Sequence, residues 1–82
     1  MNMKIKVKFF ALGRELIGRA ELDIDLPEPA SVSALIESLK KDYPRFARLN
    51  SYLIAVNMEY ADLNRQLKDG DEVAVIPPVS GG

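Results

Sequence analysis

The sequence predicts an α+β domain: a mixed four- to five-stranded sheet with one main helix packed across one face. Three observations carry this. Two stretches near the start alternate strictly between apolar and polar residues. A third stretch repeats its apolar residues at helical spacing. A fourth, close to the end, alternates again behind an Asp-Gly pair. The chain has 82 residues, enough for one domain with a modest core, and its 48% apolar content is ordinary for a globular protein.

The elements follow in order. KIKVKFF (4–10) sets Ile5, Val7 and Phe9 on one face and Lys4, Lys6 and Lys8 on the other, which is the pattern of a half-buried strand. ALGRELIG (11–18) reads as a connector holding at most a single helical turn between the breakers Gly13 and Gly18. RAELDIDL (19–26) alternates again, with Ala20, Leu22, Ile24 and Leu26 inward and Glu21, Asp23 and Asp25 outward. The two strands are expected to form an antiparallel hairpin in which lysines face acids, each pair contributing roughly 0.2–1 kcal/mol.

PEPA (27–30) breaks the pattern, and Ser31 is placed to cap a helix. Val32, Leu35, Ile36 and Leu39 then recur at i, i+3, i+4 and i+7. Lys40 and Lys41 suit the negative end of that helix, and Tyr43-Pro44 stops it. RFARL (45–49) reads as a short second turn that packs Phe46 and Leu49. YLIAVN (52–57) is a nearly continuous apolar strand, as expected for one paired on both edges. MEYADLNRQL (58–67) is irregular, with a brief strand near Tyr60. In KDGDEVAVI (68–76), Asp69-Gly70 makes a turn; Val73 and Val75 then face one way, Ala74 and Ile76 the other. This order and these lengths resemble the ubiquitin-like β-grasp arrangement, which implies first and last strands lying parallel at the centre. The division expected is a domain over 1–76 and a flexible Gly-Gly tail over 77–82.

Composition narrows the chemistry. Eleven basic and 12 acidic residues leave a net charge of -1, so no global field gathers nucleic acid or an anionic membrane. The charges fall in blocks, basic before residue 20 and acidic from 21 to 37, which read as solvated strand faces or as a polar docking surface. The alternating lysines of MNMKIKVKFF leave no apolar run for a signal peptide or a membrane span. With no Cys there is no disulfide framework, and a cytoplasmic setting is expected. With neither His nor Cys, a Ser-His or Cys-His nucleophile and the usual zinc sites are excluded. Asp23 with Asp25, and Asp69 with Asp71 and Glu72, are paired acids on predicted solvent-facing positions, and they read as structural charges rather than acid–base machinery.

Two features remain. Phe10 and Ile76 break the alternation by turning apolar groups to the outer face. If the first and last strands are neighbours, these two form an exposed apolar patch, with Tyr60 a third candidate. The second feature is the tail PPVSGG. Pro77 and Pro78 end the strand and start a stiff exit. Six extended residues reach roughly 20 Å at about 3.3 Å each. Gly81 and Gly82, lacking Cβ atoms, can thread a channel too narrow for side chains. A terminal carboxylate delivered this way could be activated by ATP as an acyl-adenylate, from which a sulfur nucleophile displaces AMP.

VKFFALGRELIG near the start, AVN in the third strand and LKDGDEVAVIPPVSGG at the end together resemble the MoaD family, the small sulfur-carrying subunits of molybdopterin synthase, over essentially the whole chain. That resemblance implies that a MoeB-like, ubiquitin-activating-type enzyme uses ATP to adenylate Gly82, which becomes a thiocarboxylate. The tail then enters a MoaE-like large subunit, in an assembly expected to be a heterotetramer. Sulfur passes there to cyclic pyranopterin monophosphate, and two transfers build the dithiolene of molybdopterin. By resemblance Gly81 gives clearance, while Pro77, Pro78, Val79 and Ser80 line the passage. Phe10, Tyr60 and Ile76 would contact the partners, and Arg14 would pair with a partner carboxylate or stay solvated. No cofactor is expected on this chain itself. A carrier for thiamine thiazole formation and a ubiquitin-like protein modifier are the competing readings.

Overall fold

The computed structural model describes residues 1–78; Val79, Ser80, Gly81 and Gly82, on which the predicted sulfur-carrying end and half of its passage fall, lie outside the described residues. Five strands form one sheet: β1 (Asn2–Phe9), β2 (Glu21–Pro27), β3 (Leu53–Val56), β4 (Glu59–Ala61) and β5 (Glu72–Ile76). Their order is β2-β1-β5-β3-β4. β1 and β5 run parallel, and the other neighbours run antiparallel. The first and last strands are therefore interior neighbours, as the β-grasp reading expects.

Period-two alternation is realised residue by residue. Met3, Ile5, Val7 and Phe9 of β1 are buried, as are Val73 and Val75 of β5. Helix α2 (Val32–Asp42) lays Val32, Leu35, Ile36 and Leu39 on this face, and all four are buried. Ser31 caps it, its hydroxyl accepting the Ala34 N–H at 3.3 Å, and the chain leaves the helix at Tyr43 before Pro44. A 3-10 helix (Pro44–Arg48) then plugs one end of the core with Phe46, whose ring meets Phe9 edge-on at 6.1 Å and lies 5.8 Å from Tyr52.

Two expectations need adjustment. The connector after β1 is a seven-residue helix, α1 (Ala11–Ile17), rather than a single turn. Gly13 does not interrupt it. Gly13, Leu16 and Ile17 lie on one face and are buried there, and that burial outweighs the cost of about 1 kcal/mol for a glycine inside a helix. Gly18 does end it: at φ 85° its N–H closes on the Arg14 carbonyl at 2.8 Å. The second adjustment concerns β2, which begins at Glu21, so that Ala20 is exposed instead of facing inward, while Ile24 is only half-buried at this edge of the sheet.

The lysines of β1 do stand opposite the acids of β2, in the register Lys4–Asp25, Lys6–Asp23 and Lys8–Glu21. Among the described residues, however, one ion pair closes, and it runs the other way: Lys8 Nζ lies 3.0 Å from Glu72 Oε1 of β5. That hydrogen bond, and the charge of the same carboxylate, raise the Lys8 pKa above the usual lysine value, with a smaller contribution from Glu21. Among the described residues no helix is long and apolar enough to cross a membrane.

Candidate functional site

The uncovered face of the sheet carries the candidate site. Three registers place its floor: Lys8 lies beside Ala74, Ala74 beside Ala55, and Ala55 beside Tyr60. Two alanines at the centre leave a shallow depression of about 400 Å³, and larger side chains rise around them. It is lined by Phe10, Met58, Tyr60 and Ile76, with Lys8 and Glu72 along one side. Phe10 is 47% exposed and Tyr60 70%. The structure thus brings Phe10, Tyr60 and Ile76 together, although they come from the end of β1, the edge strand β4 and the end of β5.

Local backbone explains the position of Phe10. It follows the last residue of β1 in extended conformation and serves as the N-cap of α1 without a capping side chain. The chain then turns at Ala11, which is left-handed at φ 50°, a region uncommon for residues other than glycine. This turn starts α1 beside the end of β5. A second, smaller apolar groove of about 170 Å³ forms there, lined by Leu12, Gly13, Leu49 and Val75 together with Phe10, Ile76, Pro77 and Pro78. Phe10 and Ile76 belong to both hollows. The exposed prolines therefore leave the sheet directly alongside the apolar depression.

Arg14 stands apart from this cluster. It lines a more polar hollow with Glu15 and Arg19, one turn along α1 from Phe10. Gly81, Gly82, Val79 and Ser80 lie outside the described residues.

The paired acids have structural partners. Asp69 Oδ1 accepts the Lys4 N–H at 2.7 Å, and Gly70, at φ 86°, donates its N–H to the Lys4 carbonyl at 2.9 Å. Asp71 accepts from the Lys68 N–H at 2.8 Å and from Asn57 Nδ2 at 2.9 Å. These carboxylates fasten the turn before β5 to its neighbours. Among the described residues no charged or polar side chain is buried, and no group of three or more His, Cys, Asp or Glu converges as a metal site would require. The described residues offer an apolar depression on the outer face, with Pro77 and Pro78 beside it.

Sequence reasoning missed Met58 and the alanine floor. Asn57-Met58 lacks the Asn-Gly signature of a tight hairpin, so the β3–β4 turn reads as irregular chain. The outward position of Ala74 was visible, but its alignment with Ala55 depends on a register between strands distant in sequence.

Known proteins resemble this chain in sequence and fold. The chain matches the ThiS family over residues 7–82. It is 43% identical to a molybdopterin synthase sulfur carrier subunit of Dictyostelium discoideum, with all of both chains covered. Among solved structures, a candidate molybdopterin converting factor subunit 1 from Pyrococcus furiosus aligns with TM-score 0.86 and 43% identity, over 94% of this chain and 99% of that one. Subunit 1 or 2 in a protein–protein complex of molybdopterin-converting factor from Helicobacter pylori aligns with TM-score 0.71 and 31% identity, over 98% and 100%. The small archaeal modifier protein 1 of Methanosarcina acetivorans aligns with TM-score 0.82 and 31% identity, over 100% and 99%. Fold and sequence agree: the chain belongs to the ThiS/MoaD family of ubiquitin-like β-grasp proteins.

Proposed function

We propose that this chain is the sulfur-carrier subunit of a molybdopterin synthase, with a β-grasp domain over 1–76 and a working tail over 77–82. The observation that carries the reading is the tail's exit: β5 delivers Pro77 and Pro78 from the interior of the sheet, beside an apolar depression lined by Phe10, Tyr60 and Ile76. A protein that receives the tail has an apolar surface to rest on. The sequence contains no Cys and no His, which leaves the terminal carboxylate as the group able to carry sulfur.

In this reading a MoeB-like enzyme adenylates Gly82 with ATP, pyrophosphate departs, and a sulfur nucleophile displaces AMP to leave a thiocarboxylate. The tail enters a MoaE-like large subunit, with Gly81 giving clearance and Pro77, Pro78, Val79 and Ser80 lining the passage. Sulfur is donated there to cyclic pyranopterin monophosphate, and the second transfer completes the dithiolene. Phe10, Tyr60 and Ile76 dock on the large subunit and on the activating enzyme, and Arg14 pairs with a carboxylate at the margin. The chain itself holds no cofactor and works in the cytoplasm, without nucleic acid or membrane, in a heterotetramer with the large subunit.

The likeness to an archaeal modifier protein favours a second reading, in which Gly82 is joined to lysines of other proteins. One experiment separates the two. The chain is incubated with ATP, a MoeB-like enzyme and a sulfide donor, and its intact mass is measured. Exchange of one terminal oxygen for sulfur is expected, followed by dithiolene product once a MoaE-like subunit and cyclic pyranopterin monophosphate are added. Absence of exchange sinks the carrier reading, and lysine conjugates without dithiolene favour the modifier. Deleting Gly82 is expected to abolish the exchange and to leave the melting temperature nearly unchanged.

A further inference from the structure

Three non-glycine residues among those described have left-handed backbone: Ala11 (φ 50°), Asn57 (φ 51°) and Met58 (φ 71°). Asn57 and Met58 form the tight turn between β3 and β4, and two successive positive φ angles are the signature of a type I′ hairpin. Asparagine tolerates this region, and here it is also pinned. Its Oδ1 accepts the Glu72 N–H at 2.9 Å, its Nδ2 donates to Asp71 at 2.9 Å, and its own N–H reaches the Glu72 carbonyl at 2.8 Å. The turn is over-determined, which is the condition under which backbone strain persists.

Met58 has no such compensation. Glycine is the residue this second turn position prefers, because a Cβ is disfavoured at positive φ. The methionine side chain is 96% exposed, so burial within this chain does not offset the strain. Folding alone therefore gives no reason for an apolar, flexible side chain here. Its placement does, because Met58 lines the depression shared by Phe10, Tyr60 and Ile76.

We propose that Met58 is a partner-contacting anchor, held on the rim of the outer face by the Asn57 clamp and buried when the large subunit docks. The inference rests on the docking proposed above and adds a residue to it. The occupant follows from continuity: Ile76 lines both this depression and the groove at Pro77 and Pro78, so a subunit that takes in the tail also lies over this rim. An unbranched thioether suits the role because it fills irregular apolar gaps without demanding one rotamer.

The test uses the full chain titrated with a MoaE-like large subunit by calorimetry, with melting temperatures recorded for each variant. Met58→Gly relieves the strain and is expected to raise the melting temperature by a few degrees, on the order of 4 °C for a domain of this size. The same variant is expected to bind roughly tenfold more weakly, because the apolar contact is gone. Met58→Leu keeps near-native affinity without the stability gain. Unchanged affinity for Met58→Gly overturns the proposal, and so does a lowered melting temperature. Phe10→Asp in the same series separates the two levels. If the wild-type chain fails to bind the large subunit, the proposed function itself fails. If the wild type binds and Phe10→Asp weakens it while Met58→Gly does not, only the role of Met58 is lost.

Discussion

The same strands build two faces of opposite character. On the inner face Val7 and Phe9 of β1 and Val73 and Val75 of β5 are closed over by α2 and the 3-10 helix. One pleat step away, Lys8, Phe10, Ala74 and Ile76 line the outer depression. Both faces hold apolar residues, but those inside are out of water in the folded domain, whereas outside Phe10 is exposed and Ala74 and Ile76 are half-buried. Apolar burial stabilises by about 25 cal/mol per Å² removed from water, so the inner residues hold the fold while the outer ones contribute little until something covers them. The two faces are also tied together, since slipping a strand by one residue would exchange them.

The sharpest way to break this comparison is to truncate one aromatic on each side. Phe46→Ala removes a fully buried ring that meets both Phe9 and Tyr52, and it should cost about 3–5 kcal/mol of stability in denaturant unfolding. The molecules that remain folded should bind the large subunit as before. Phe10→Asp should do the reverse. Its carboxylate would sit at the N-cap of α1, where the native residue offers no capping side chain, so stability should hold within about 0.5 kcal/mol or rise. Affinity for the large subunit should fall at least tenfold, roughly 1.4 kcal/mol, because a charge would face an apolar contact. A Phe10→Asp chain that unfolds would erase the distinction between the faces.

How legible each face was in the sequence follows from the range of the interactions that make it. The inner face was readable, since Ile5, Val7, Phe9, Val73 and Val75 announce themselves by period two, and Val32, Leu35, Ile36 and Leu39 by helical spacing. Each pattern is local, and burial follows it. On the outer face Phe10 and Ile76 were readable as breaks in those patterns. Tyr60 was visible only as a candidate, and Met58 not at all, because their positions depend on how β4 lies against β3. The length of α1 was hidden for a different reason. Gly13 and Gly18 look alike in sequence, yet Gly13 is packed inside the helix and Gly18 ends it, a distinction made by tertiary contact.

A smaller effect tests the joint between the faces. Asp71 accepts the Lys68 N–H and the Asn57 side chain, and so ties the turn before β5 to the β3–β4 hairpin. Asp71→Ala removes both bonds and should cost about 1–2 kcal/mol, well below the loss at Phe46. Hydrogen exchange should quicken at the amides of Asn57 and Glu72 while those of α2 keep their protection relative to global unfolding. Uniform quickening across the domain would mean that the turn is part of the core's cooperative unit and not a fastening for the outer rim.

The smallest effect belongs to Lys8 and Glu72 at the side of the depression. Their side chains are 40% and 44% exposed, so water and salt screen the pair and its share of stability is slight. Its sign is nevertheless fixed. Bonding to Glu72 raises the Lys8 pKa above 10.5, so the folded state holds this proton more tightly than the unfolded chain does. The contribution is fully present below about pH 10.5 and is lost as pH climbs through the raised folded value. Glu72→Gln should therefore melt slightly below the wild type at neutral pH, and the gap should close in strong alkali, where Lys8 is neutral in both. Comparing the variant with the wild type cancels every pH effect common to both. A gap that persists in strong alkali would mean that Glu72 acts through its packing beside Ala74 rather than through its charge. A gap that closes near neutral pH would mean that some other group carries the titration.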